Sequence, residues 1–93
     1  MSKREKLRRR LRQQPADAAM KDVETLLQRF NFVLVRIRGS HHIFEYDDGK
    51  RFQQIVVPVH GRSVKKVYVQ QAVVILDQLF PPETEDDETE DID

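Results

Sequence analysis

The 93-residue chain predicts a small α+β domain with a three-stranded antiparallel sheet, helices on one of its faces, and the order α-α-β-β-β-α. Two stretches repeat apolar residues at helical spacing. Between them lie three short runs of β-branched and aromatic residues separated by turn signals. A three-stranded meander does not stand alone in water, and two amphipathic helices need an apolar surface to cover. Laying the helices on one face of the sheet meets both needs.

Residues 2–14 read as a basic helix in which Leu7 and Leu11, four apart, form a narrow apolar stripe among arginines. Pro15 ends it. Asp17 is placed to cap a second helix, Ala18–Phe30, where Met20, Val23, Leu27 and Phe30 share one face with Leu26 beside them. Asn31 suits the stop, because Asn tolerates the left-handed C-terminal cap. Phe32–Arg38 then reads as a strand, Gly39-Ser40 as a two-residue type II′ turn, and His41–Tyr46 as a second strand. Asp48-Gly49 is a type I′ signal, and Arg51–Val57 is a third strand closed by Pro58, which cannot donate to a ladder. His60-Gly61-Arg62 is a loop. Ser63 is placed to cap a last helix from Val64 to about Leu79, on which Tyr68, Ala72, Ile75, Leu76 and Leu79 recur at helical spacing. The β-rich Val73-Val74-Ile75 is the competing strand signal. Pro81-Pro82 stops this helix, and the acidic residues after it are expected to be disordered. The chain thus divides into a basic extension (1–16), a folded domain (17–80) and an acidic tail (81–93).

If both hairpin connections are two-residue, Ile37 faces His42 and His42 faces Ile55. The His42 face then carries Val33, Val35, Ile37, Phe44, Ile55 and Val57. The His41 face carries Phe32, Leu34, Arg36, Arg38, Ile43, Phe52 and Val56, and a one-residue slip would exchange the two sets. Both faces are partly apolar and the helices cover only one, so the other is free to meet a partner chain or a second copy.

The formal net charge is zero, but it is unevenly built. Residues 1–14 hold seven bases and one acid (+6), residues 15–80 nine bases and seven acids (+2), and residues 81–93 eight acids and no base (−8). Without the tail the body carries +8, a charge suited to phosphate. The absence of cysteine excludes disulfides, a thiol nucleophile and thiolate metal sites, and fits a reducing cytoplasm. The longest purely apolar run, Ala72–Leu76, is far shorter than the ~20 residues that span a bilayer. No apolar stretch follows the basic N-terminus, so neither a membrane span nor a secretory signal is expected.

The most distinctive stretch is Gly39-Ser40-His41-His42. Histidine titrates nearest neutrality and is a natural general acid or base. Adjacent strand residues point to opposite faces, so His41 and His42 are not placed to share one metal ion. By spacing alone, one exposed and one packed histidine without chemistry is the favoured reading. His60 follows the third strand in Pro58-Val59-His60-Gly61, and the meander returns it toward the Gly39-Ser40 end, where it is the second acid/base candidate; a loop histidine with no partner is the alternative. Arg36, Arg38, Arg62, Lys65 and Lys66 gather near that turn and the start of the last helix. Phosphate backbones are bound mainly by Lys and Arg, and a helix N-terminus is itself an anion site. Residues 3–12 are expected to add a mobile cationic arm, with a solvated helix as the equal alternative. No Gly-rich phosphate loop and no Ser/His/Asp signature is present.

Phe32, Arg36 and Arg38, the Gly39-Ser40-His41-His42-Ile43-Phe44 stretch, the Asp48-Gly49 turn, Val57-Pro58-Val59-His60-Gly61 and the closing helix together resemble the HicA toxin, or YcfA-like, family of small mRNA interferases. The resemblance covers about residues 2–80. The Lys3–Leu7 opening and Pro15 are similar to members with an extended N-terminus. The resemblance implies a double-stranded-RNA-binding-domain-like fold, metal-independent cleavage of mRNA with no cofactor, and a HicB-like antitoxin that covers the site. The family's functional histidine, the one after Gly-Ser-X, maps onto His42, with His41 in the variable position. The acidic tail lies outside the family pattern, and Asn31 stands where Gly usually ends the helix.

Three functions from different classes fit these residues. The first is a cytoplasmic mRNA endoribonuclease using His42, with His60 as second group and Arg36, Arg38, Ser40, Arg62, Lys65 and Lys66 on the RNA phosphates. The second is an RNA-binding module without catalysis. The third is a protein-interaction domain that dimerises or binds an antitoxin-like partner through its sheet. The tail reads either as a polyanion that competes with RNA for the basic residues or as a solubilising appendage.

Overall fold

A computed structural model of the chain describes residues 2–82, so the expectation of disorder in the acidic tail falls on residues 83–93, outside the described part. The described residues form α1 (Lys3–Arg12), β1 (Ala18–Ala19), α2 (Met20–Arg29), β2 (Val33–Arg38), β3 (His41–Asp47), β4 (Phe52–Pro58), β5 (Ser63–Val64) and α3 (Lys66–Leu79). The α+β expectation holds. β2, β3 and β4 make one antiparallel sheet in that order, and the three helices lie on one of its faces. Val23, Leu26 and Leu27 of α2 and Val69, Ala72, Val73 and Leu76 of α3 share one core with Phe44, Tyr46, Ile55 and Val57 of the sheet, and α1 joins that core with Leu7 and Leu11, packing against α2 and α3.

α1 is not a mobile arm. Ser2 accepts the Glu5 N–H at its start, and Leu7 and Leu11 are buried. Arg8 is only 1% exposed: it holds Glu5 and Asp77, donates to the Phe80 carbonyl at 2.6 Å, and lies 4.7 Å from the centre of the Phe30 ring. A buried guanidinium needs this full set of acceptors to offset its desolvation.

Helix starts differ from those expected. Ala18–Ala19 and Ser63–Val64 pair as a two-stranded antiparallel ribbon, so α2 begins at Met20 and α3 at Lys66. The Met20 N–H donates to the Arg62 carbonyl at 2.8 Å, and Asp17 caps the other helix, its Oδ1 accepting the Lys66 N–H at 3.0 Å. Ser63 is held by backbone bonds to His60 and does not cap. Asn31 does end α2: its φ is 70°, and the Phe32 N–H reaches back to the Leu27 carbonyl at 2.9 Å, as in a Schellman closure.

The first hairpin keeps the expected register. Arg38 faces His41 and Ile37 faces His42, with positive φ at Gly39 and not at Ser40, the type II′ pattern. The second does not. Asp47 Oδ1 takes the Gly49 N–H and Asp48 Oδ1 takes those of Lys50 and Arg51, lengthening the connection to four residues. His42 therefore faces Val57, not Ile55. A shift of two preserves the faces of β3 and β4. A bulge between Leu34 and Arg36 changes β2: Leu34 faces Phe44 over the core, and Phe32 is buried there too. Val33 turns to the outer face opposite Glu45, 61% exposed, and Val35 is exposed at the bulge. Phe32, Leu34, Val33 and Val35 are thus corrected from the expected sets, because one extra residue inverts the alternation on its N-terminal side.

Candidate functional site

The first hairpin carries its turn to the C-terminal end of β4. The Val59 N–H donates to the Ser40 carbonyl at 2.8 Å, extending the β3–β4 ladder one step past Pro58. His60 and Ser63 then exchange backbone bonds, both 2.9 Å, around Gly61 at φ 63°, a left-handed conformation that suits glycine. Ser63 belongs to β5, which ends one residue before the N-cap of α3, Lys65. One backbone hydrogen-bond path thus links Ser40, His60, Ser63 and the start of α3, and His42 sits two residues along β3 from Ser40.

His42 lies on the helix-covered face between Ile37 and Val57 and is half-buried. Its Nδ1 is enclosed without a hydrogen-bond partner, alone in this among the described buried side-chain nitrogens and oxygens, so Nε2 is the nitrogen open to solvent. A buried polar atom with no partner is costly, and such atoms concentrate where function requires them. His41 points to the opposite face beside Arg38 and Pro58 and is exposed. His60 is exposed in its loop.

The expected phosphate contacts fall into two groups. Ser40, Arg62, Lys65 and Lys66 belong to the linked turn, loop and helix start. Arg36 and Arg38 face Ile43 and His41 across the ladder, on the outer face, away from the His42 side chain. The side chains of Arg36, Arg38, Arg62, Lys65 and Lys66 make no ion pair or hydrogen bond among the described residues, and all five are exposed. Three carboxylates are engaged elsewhere: Asp77 by Arg8 and Arg12, Asp22 by Arg10, Asp48 by Arg51. The α3 N-terminus is a weaker anion site than its position suggests, because the Asp17 carboxylate already occupies the Lys66 N–H. An anion arriving there meets the Lys65 and Lys66 side chains. Asp17 gives no local sequence signal of this role, since its partner lies 49 residues away.

At the far end of β3 the Tyr46 hydroxyl donates to Asp48 at 2.7 Å. That bond, then the N–H groups of Lys50 and Arg51, hold the Asp48 carboxyl well below the usual carboxylate range, while Asp48 and then burial push the Tyr46 hydroxyl up. This pair shapes the loop and lies away from His42. The uncovered face is apolar at its centre: Val33, Phe52 and Val56 are exposed around Ile43, which its cross-strand neighbours Arg36 and Val56 flank.

A family model described as the HicA toxin of bacterial toxin–antitoxin pairs matches residues 20–79. The match runs from the first residue of α2 to the last of α3 and leaves out α1 and the acidic segment. No curated protein and no solved structure matches the chain.

Proposed function

Because the chain belongs to the HicA toxin family of bacterial toxin–antitoxin pairs, we propose that it is a metal-independent mRNA endoribonuclease in which His42 is the general acid–base group. The observation that carries this is the His42 ring, with Nδ1 enclosed and Nε2 open, on the strand that leaves a turn tied to a loop rich in unpaired cations. Nε2 takes the proton of an RNA 2′-hydroxyl, and that oxygen forms a bond to the adjacent phosphorus. The bond from phosphorus to the 5′-oxygen breaks, leaving a 2′,3′-cyclic phosphate, and the 5′-oxygen takes a proton from a second acid, for which His60 is the candidate. Arg62, Lys65 and Lys66 meet the charge that builds on the phosphoryl oxygens. Ser40 positions the backbone at the turn, while Arg36 and Arg38 hold flanking RNA from the outer face. The reaction takes place in the cytoplasm, where mRNA is.

His42→Ala is expected to lower cleavage of single-stranded RNA by about 10²- to 10⁴-fold, with or without chelator, while leaving RNA binding intact. Undiminished cutting by the variant would sink the assignment. Salt-dependent binding without cleavage by the natural chain would assign a binding module instead.

A toxin of this kind has an antitoxin partner. A HicB-like protein covering His42 and the neighbouring cations fits the charge of the site. The exposed Val33, Phe52 and Val56 favour a second role for the outer face, as a protein-binding surface for the antitoxin or a second copy.

A further inference from the structure

The segment 83–93 carries eight carboxylates and no base, and the chemistry above leaves it without a task. The place where the chain enters it is well defined. Phe80 accepts from Arg8 and packs its ring on Phe30 and Tyr46, with centroids 5.3 and 5.4 Å apart. Arg51 Nη1 donates to the Leu79 carbonyl at 3.0 Å. The chain therefore leaves the fold between the first turns of α1 and the β3–β4 loop, at the pole opposite Ser40 and His42.

The cations of α1 are not equivalent. Arg8 and Arg12 share Asp77, Arg8 also holds Glu5, and Arg10 lies 3.4 Å from Asp22. Lys3, Arg4 and Lys6 make no ion pair among the described residues, and they occupy the end of the helix beside Phe80. Arg4 stands over the Phe30 and Phe80 rings at 4.7 and 5.8 Å and donates to the Arg29 carbonyl, which places the exposed Arg29 at the same pole. Lys50, next to Arg51, is exposed and unpaired among the described residues.

We propose that the acidic segment 83–93 docks in cis on the cationic surface of Lys3, Arg4, Lys6, Arg29 and Lys50. Charge complementarity and the point of attachment support this occupant over others. Pro82 is already at the surface, so the tether places the carboxylates at an effective concentration on the order of millimolar. Eleven residues reach up to ~36–40 Å when extended, enough to cross the pole. The contact involves exposed charges and is screened by salt.

Two full-length chains decide it: the natural one, and one whose eight carboxylates in 83–93 are replaced by Gln or Asn. A synthetic peptide of residues 83–93 is the probe, and backbone amide spectra are the readout. The neutralised chain is expected to bind the peptide with shifts at residues 3–6, 29 and 50, weakening about tenfold or more between about 20 mM and about 500 mM NaCl. The natural chain is expected to resist the peptide and to show the shifts of the peptide-bound neutralised chain. Adding Lys3→Glu, Lys6→Glu and Arg29→Glu, all at exposed positions, to the neutralised chain is expected to abolish peptide binding with the fold retained. Equal binding to both chains, shifts centred on residues 36–42 and 62–66, or shifts of the natural chain that depend on its own concentration would each overturn the proposal, the last by moving the contact to a second copy.

Discussion

His41 and His42 are neighbours in the chain and meet opposite faces of one sheet, so His41 is exposed while His42 is half-buried with its Nδ1 enclosed by the fold. The alternation of side chains along a strand is a local property, and it separates the two by itself. His60 belongs to the same pole through the Val59–Ser40 and His60–Ser63 backbone bonds. Its replacement by Ala is expected to alter one limb of the pH–rate profile for RNA cleavage; an unchanged rate and profile would remove it from the chemistry. Asp48 offers a prediction independent of function. Its carboxyl titrates lower in the folded chain than in the unfolded one, so it stabilises the fold above about pH 4 and the contribution is lost as pH falls below that. Asp48→Asn should therefore lower the melting temperature at pH 7, with the difference from the natural chain shrinking in acid. Tyr46 titrates higher when folded, so its contribution is present below about pH 10 and is lost as pH rises past it. Tyr46→Phe should behave alike at pH 7 and converge with the natural chain at high pH.

Among the elements, α1 was legible as a helix and not as part of the core. Leu7 and Leu11 gave a stripe only two residues wide, and nothing local distinguishes Arg8 from the arginines beside it. What buries Arg8 is Asp77 and Phe80, about seventy positions away, at 69 and 72 residues' separation. Leu11 is fully buried, so Leu11→Ala is expected to cost about 2–5 kcal/mol of stability in urea unfolding. Arg8→Ala is expected to cost about 1–3 kcal/mol, because it leaves Glu5 and the Phe80 carbonyl without their donor while Asp77 keeps Arg12. Losses under about 0.5 kcal/mol, the range of surface substitutions, would return α1 to the status of a solvated arm. β2 shows the opposite failure. Its alternation is clear in the chain, and the bulge at Val35 reverses it for Val33 and Leu34. Which residue is extruded depends on how β3 presents Phe44 and Glu45, which no window along β2 contains.

At the scale of the whole molecule, the zero net charge conceals two poles. One carries His42 with Arg62, Lys65 and Lys66; the other carries the point where the acidic segment begins. Burial and pairing use up Arg8, Arg10 and Arg12, so fewer cations of the head are available to a polyanion than its composition suggests. If RNA extends from the first pole to the second, neutralising the carboxylates of 83–93 is expected to raise RNA affinity severalfold at low salt, with the gain vanishing as salt screens both contacts. Equal affinity of the two chains at low salt would leave the acidic segment without influence on RNA.

The order of the helices and of the three sheet strands, the apolar face of α2, the Gly39-Ser40 turn and the pairing of Ile37 with His42 followed from the sequence alone. Each depends on residues within one or two turns of chain, where periodicity and turn chemistry act directly. Of the face expected on α3, Ala72, Leu76 and Leu79 are buried, but Val69 and Val73 are buried with them while Tyr68 and Ile75 are half-buried. The partner of Asp17, the four-residue β3–β4 connection, the bulge and the burial of Arg8 were decided by tertiary structure. In the first and last, the partner is dozens of residues away. In the loop, the Asp47 and Asp48 side chains compete with the ladder for backbone N–H groups, and the outcome rests on Tyr46 and Leu79 holding Asp48 and Arg51 in place.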